Sequence, residues 1–167
     1  ELFASLFSLL HSSWDSSRVG AFRLLSGLFR LAWTFDLSLP EEYTGKSARI
    51  TMESRGIFLA SSPRQREADT GARILSLLYL SLSSLPERMQ YLEKLVSLLE
   101  HRVSAMKDKL DTILADDSDI LGGGELPLAH GIIHSLRLIA QARDHSEAVK
   151  DDLDRKHIFQ RMAKVFC

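Results

Sequence analysis

His130 and His134, four residues apart in "HGIIH", are the pair in this sequence whose type and spacing best suit a metal. On a helix an i, i+4 pair shares one face, and imidazole nitrogens are ordinary zinc ligands. Gly131 stands where a metalloprotease of this spacing needs its glutamate, and the sequence indicates no third ligand. The pair therefore reads as structural, and no metal is expected. "EEYTGKSA" carries Gly45-Lys46-Ser47, the tail of a phosphate-binding loop, but Pro40 occupies the place of its first glycine and no buried strand precedes it. Asp116, Asp117 and Asp119, ahead of three glycines at 122–124, have the wrong offsets for a calcium loop and read as a solvated turn. No Ser-His-Asp or Cys-His arrangement is legible. The expectation is a non-catalytic protein without a cofactor of its own.

The stretch "SSPRQREADTGAR" at 61–73 raises a different chemistry. Ser62 and Pro63 mark a helix start, and Gln65 stands at capping-box spacing from Ser62. Arg64 and Arg66 then fall in the first turn, where the helix dipole disfavours cations. Pairing of Arg64 with Glu67 and of Arg66 with Asp69 at i, i+3 would offset that penalty. The functional reading is that two forked guanidinium groups at a helix end suit a phosphate or an acidic partner. Gly71, inside the same helix, is expected to mark close packing against another backbone.

The elements that must position these residues are helices. Met89, Leu92, Leu95, Leu99, Val103, Met106, Leu110 and Ile113 advance by three or four, which predicts one long amphipathic helix over 87–117. Val19, Phe22, Ser26, Phe29 and Trp33 predict another over 16–33, with Asp15 as its cap and Trp14 packed beneath it. Further helices are expected at 2–12, 48–60, 63–83 and 127–142, and a last one from the Asp144/Glu147 capping spacing to about residue 166. "DLSLPEEYTGK", "SSLPE" and "DDSDILGGGELP" read as connections. About seven helices in hairpin pairs predict an all-α fold, an α-solenoid of HEAT/armadillo-like hairpins, with a closed helical bundle as the rival.

Composition bounds the partners. With 45% hydrophobic and 26% charged residues and a net charge of −1, the chain is ordinary for a globular protein, and bulk charge argues for neither nucleic acid nor membrane binding. One cysteine, Cys167, excludes an internal disulfide and fits a reducing compartment, the cytoplasm in particular. No apolar run is long enough to span a bilayer, so no membrane insertion is expected. The start at Glu1 and the apolar end at Val165 and Phe166 suggest a single segment, 1–167, of a larger helical-repeat protein. Leu2, Phe3, Phe7, Val165 and Phe166 should then be sticky ends.

Three blocks, "SSWDSSRVGAFRLL" at 12–25, "SSPRQREADTGARILSLLY" at 61–79 and "ELPLAHGIIHSLRLI" at 125–139, occur in an order that resembles the thyroid adenoma-associated protein (THADA) family. The resemblance spans about residues 1–140 and rests on Ser62, Pro63, Arg64, Glu67, Asp69, Gly71 and Ala72, with support from Trp14, Asp15 and Ser16 and from Pro127, Leu128, His130 and Gly131. Ala129 interrupts the family's Pro-Leu-His-Gly order, and its Arg-Arg-Ser-Ala-Gly segment does not occur here, which would put this stretch upstream of the family's domain of unknown function. What the resemblance implies is a non-catalytic scaffold that positions an FtsJ-type methyltransferase and a tRNA for 2′-O-ribose methylation in the anticodon loop. S-adenosylmethionine would be bound by that partner. Arg64 and Arg66 would contact RNA or partner, and the other motif residues would be structural. The alternative is a HEAT-like adaptor that docks proteins, or a membrane calcium pump as proposed for animal relatives, without binding RNA. Arginines 18, 23, 30, 64, 66 and 73 on one face would favour RNA; a broad exposed apolar groove would favour protein.

Overall fold

The computed structural model describes residues 1–35, 37–82, 84–115 and 130–143. Within them every regular element is a helix: α1 (Leu2–Leu9), α2 (Asp15–Thr34), α3 (Glu41–Thr44), α4 (Lys46–Ala60), α5 (Gln65–Ser81), α6 (Leu85–Ala115) and α7 (His130–Arg143). The expected helices within the described residues appear, each described end lying within three residues of the expected one. The expected helix to residue 166, Pro127, and the apolar Val165 and Phe166 lie outside the described residues. The one-turn helix α3 falls inside "DLSLPEEYTGK", which sequence reasoning treats as a connection. It carries Tyr43 onto α1, where the ring stacks on Phe3 and Phe7 at centroid distances of 5.5 and 5.1 Å. Those two phenylalanines, expected as exposed ends, are thus half covered, while Leu2 stays exposed.

The helix α5 is the centre of the molecule. From Thr70 to Ser81 every residue is buried, as for a helix with neighbours on all sides rather than one apolar stripe. α4 runs antiparallel to it: Ala60 lies against Gly71, Gly56 against Leu75, and the Arg49 guanidinium donates to the Ser81 carbonyl at 3.3 Å. α7 lies on another side in the same sense as α5, with Asp69 beside His130 and the Ser76 hydroxyl donating to the Ser135 carbonyl at 3.2 Å. α2 also runs in the sense of α5, Asp15 facing Arg73 and Ser26 and Arg30 facing Ser76 and Leu80 across a shared cleft. α6 begins at a capping box in which the Ser84 hydroxyl and Glu87 bond one another, and its Tyr91 hydroxyl donates to the Leu75 carbonyl at 3.1 Å.

α1–α2 and α4–α5 are two copies of one device. In each, a serine hydroxyl accepts the amide of the residue two places on, Ser12 from Trp14 and Ser62 from Arg64, both at 3.2 Å, and the helix starts one residue later. With the same offset of 50 residues, Leu25 corresponds to Leu75, Ser26 to Ser76 and Phe29 to Tyr79, and all six are buried. Residue identity is kept at Ser12/Ser62, Leu25/Leu75 and Ser26/Ser76, while Trp14/Arg64 and Ala21/Gly71 differ.

These turns correct two local expectations. Trp14 does not pack beneath α2: it is the cap position itself and is 73% exposed. Asp15 is the first helical residue and serves Arg18 and Arg73 instead of capping. At α5 the helix starts at Gln65 and not at Pro63, Arg64 is the cap position with extended backbone, and Glu67, not Gln65, bonds the Ser62 hydroxyl. The serine is spent on the turn, so its side-chain partner comes from two residues further along.

Candidate functional site at the start of α5

Asp15, Asp69, Gly71, His130 and Gly131 lie at or near the starts of α2, α5 and α7. Arg64 is 80% exposed at its side chain and pairs with Glu67 at 3.2 Å, as the i, i+3 spacing predicts. Arg66 does not pair with Asp69. Its guanidinium crosses to the end of α1 and donates to the His11 carbonyl at 3.0 Å, while its own carbonyl accepts the Thr70 hydroxyl, which also reaches Leu10. His11, Leu59, Arg64, Arg66, Glu67 and Thr70 line a cleft of about 300 Å³. Partial burial, then Arg55 and Arg66 beside it, hold the His11 imidazole below its ordinary pKa. The Glu67 carboxyl also titrates low, chiefly because it accepts the Ser62 hydroxyl, with Arg64 and Arg66 adding to the effect. Two guanidinium groups, of Arg64 and Arg66, therefore line this cleft with one carboxylate, and Arg55 stands near enough to act on His11. Arg55, His11 and Leu59 carry no local signal; they arrive from α4 and from the end of α1.

Arg18 and Arg73 are not part of this exposed cationic surface. Arg18 is 6% exposed and donates to the Ser12 and Ser13 carbonyls at 2.8 and 3.1 Å and to Asp15 at 2.9 Å. Arg73, equally buried, faces the same Asp15 oxygen at 3.7 Å. The six arginines that would have favoured RNA if gathered on one face are therefore divided: Arg18 and Arg73 are buried ties, Arg30 is half-buried, and Arg23, Arg64 and Arg66 are exposed.

Asp69 faces away from the arginine cleft toward α7. One of its oxygens lies 3.0 Å from His134 Nδ1 and 3.5 Å from His130 Nε2, and the three ligand atoms fall within 4.8 Å of one another. Burial lowers the His134 pKa; Asp69 pulls it up, and Arg73 and Arg137 push it down again. The backbones on either side are fixed by close approach. A Cβ on Gly71 would overlap the Ala60 nitrogen and lie 2.7 Å from the Gly56 carbonyl oxygen, and one on Gly131 would overlap the Ala60 carbonyl. Gly71 is thus the close-packing position expected of it, and Gly131 is a second.

No family model, no curated protein and no solved structure matches this chain.

No described helix is long and apolar enough to cross a membrane. The site's chemistry must therefore be argued from its own groups: guanidinium donors for oxyanions on one side, and two imidazoles with a carboxylate on the other.

Proposed function

We propose that this chain is a stretch of a non-catalytic α-solenoid of HEAT/armadillo-like hairpins, of the THADA type, that works in the cytoplasm. In this reading it holds a tRNA and an FtsJ-type methyltransferase so that an anticodon-loop ribose is 2′-O-methylated. S-adenosylmethionine and the reacting groups belong to the methyltransferase. The observation that carries the reading is the cleft bordered by Arg64 and Arg66, with Arg55 close by, because forked guanidinium groups on an open surface match phosphodiester oxygens without reading a base. The in-register repetition of two hairpins supports a stacked scaffold, whose long surface orients a partner by shape.

In the full-length protein, Arg64→Ala with Arg66→Ala should lower the melting temperature by no more than a few degrees, since exposed ion pairs contribute about 0–1 kcal/mol. Affinity for tRNA should fall, more at low salt than at high, and the slope of log K against log salt should become shallower by about 1 for each phosphate that is no longer neutralised. Filter binding or calorimetry at several salt concentrations measures both. Unchanged affinity and slope would remove the cleft from the proposal.

A second reading, a protein adaptor without RNA, is favoured by one observation. Leu24, Leu31 and Phe35 share an edge of α2 at i, i+7 and i+11 and are exposed, as an unpartnered helix face would be. Loss of methyltransferase co-purification on changing Leu24 and Leu31 to Ser, with tRNA binding by the scaffold absent from the outset, would select it.

A further inference from the structure

We propose that Asp69, His130 and His134 form a zinc site that staples α5 to α7. Two imidazole nitrogens and one carboxylate are a borderline-soft donor set, suited to zinc and its divalent first-row neighbours and poorly suited to magnesium or calcium, which take oxygen ligands. Zinc bonds nitrogen and carboxylate oxygen at about 2.0–2.2 Å, which sets the edges of a tetrahedral site at about 3.3–3.6 Å. The Asp69–His130 separation of 3.5 Å falls on that edge, and the Asp69–His134 separation of 3.0 Å is a few tenths of an ångström short of it. The remaining separation, between the imidazole nitrogens, is at most 4.8 Å and would have to close by rotation of His130, whose side chain is 54% exposed.

Three features make the set more than a chance meeting of side chains. His130 and His134 occupy one face of α7, so both reach the same point on α5. Gly71, two residues beyond Asp69, and Gly131, next to His130, both press against Ala60, which fixes the backbones carrying the ligands before any ion arrives. Asp69 and His134 are each 18% exposed at the side chain, so two of three donors are largely withdrawn from water, while the third opens to solvent and leaves a fourth position for a water molecule. Arg73 and Arg137 stand close enough to compete electrostatically, so affinity should be moderate rather than tight. The competing account is that Asp69 only accepts hydrogen bonds from the two imidazoles, and the two accounts differ in what zinc does.

The test uses the tag-free protein, dialysed against a chelator and titrated with zinc chloride against a chromophoric competitor. One equivalent should bind saturably and raise the melting temperature. Cobalt(II) chloride at the same site should give the visible absorption of a low-coordinate cobalt ion. His130→Ala, His134→Ala and Asp69→Asn should each weaken zinc at least about tenfold, the scale seen even for the groups behind metal ligands. His101→Ala, an exposed histidine on α6 outside the cluster, should leave binding unchanged. If His134→Ala or Asp69→Asn disturbs folding, as circular dichroism would reveal, His130→Ala still decides, because its exposed ring contributes little to packing. No saturable binding at micromolar zinc, or binding that survives His130→Ala, overturns the site.

Discussion

Gly71→Ala should destabilise the protein by about 3 kcal/mol, at the upper end of the 1–3 kcal/mol typical of overpacking, and lower its melting temperature by roughly 6–12 °C. The added methyl would overlap the Ala60 nitrogen, and its next neighbours are the Gly56 carbonyl oxygen and the Ala60 Cα, so no flexible side chain can yield. α4 and α5 would have to separate along the hairpin that buries Leu75, Leu77 and Tyr79. Gly20→Ala on α2 is the control. Nothing lies within 4 Å of its Cβ, and alanine there should stabilise by about 0.5–1 kcal/mol through helix propensity alone. Opposite signs at two helical glycines, measured by urea or thermal unfolding, separate crowding from propensity. A neutral Gly71→Ala would mean that α4 and α5 are not in backbone contact.

Arg18→Ala should cost about 2–3 kcal/mol, or roughly 4–12 °C. The guanidinium spends its donors on the Ser12 and Ser13 carbonyls and on Asp15, so one side chain joins the α1–α2 turn to the first turn of α2. Its removal strips three bonds made by a charged donor and leaves Asp15 with Arg73 alone at 3.7 Å. The loss stays at the lower end of what a buried charge commands, because Asp15 is mostly exposed and water can reach the freed oxygens. Arg18→Lys should recover only part of it, since a point-like ammonium cannot span two carbonyls and a carboxylate. Arg23→Ala, five residues along the same helix and exposed, should change stability by less than about 0.5 kcal/mol. An Arg18→Ala protein with an unchanged unfolding midpoint would show that the network is ornamental. The four arginines in the first and second copies of the turn would then have similar weight, although Arg18 and Arg73 are buried and Arg64 and Arg66 are exposed.

Helices were legible in the sequence because their signal is local. Three-and-four spacing of residues such as Leu92, Leu95 and Leu99 needs no knowledge of what covers them, and the serine ahead of α5 at 62 is read within a single turn of chain, whereas Ser12 and Ser84 went unread as helix starts. The Arg64–Glu67 pair was legible for the same reason. The 50-residue register was not, because its identities, Arg23/Arg73, Leu25/Leu75, Ser26/Ser76 and Leu28/Leu78, are confined to a short stretch, while residues 14–22 and 64–72 differ at every position. Nor could the sequence assign partners to charges that have several within reach. Arg66 and Asp69 are well spaced for an ion pair, yet Arg66 takes a carbonyl 55 residues away and Asp69 a histidine 65 residues away. Side chains in one helix choose among neighbours by which helices pack beside them, and that choice is made by Gly71 and Gly131 closing on Ala60. The sequence by itself determined that this protein is helical and where its cations lie along the chain. Only the packing of three helix starts against one another decided that two arginines became internal ties, that two faced an open cleft, and that the histidines of "HGIIH" met the Asp69 carboxylate.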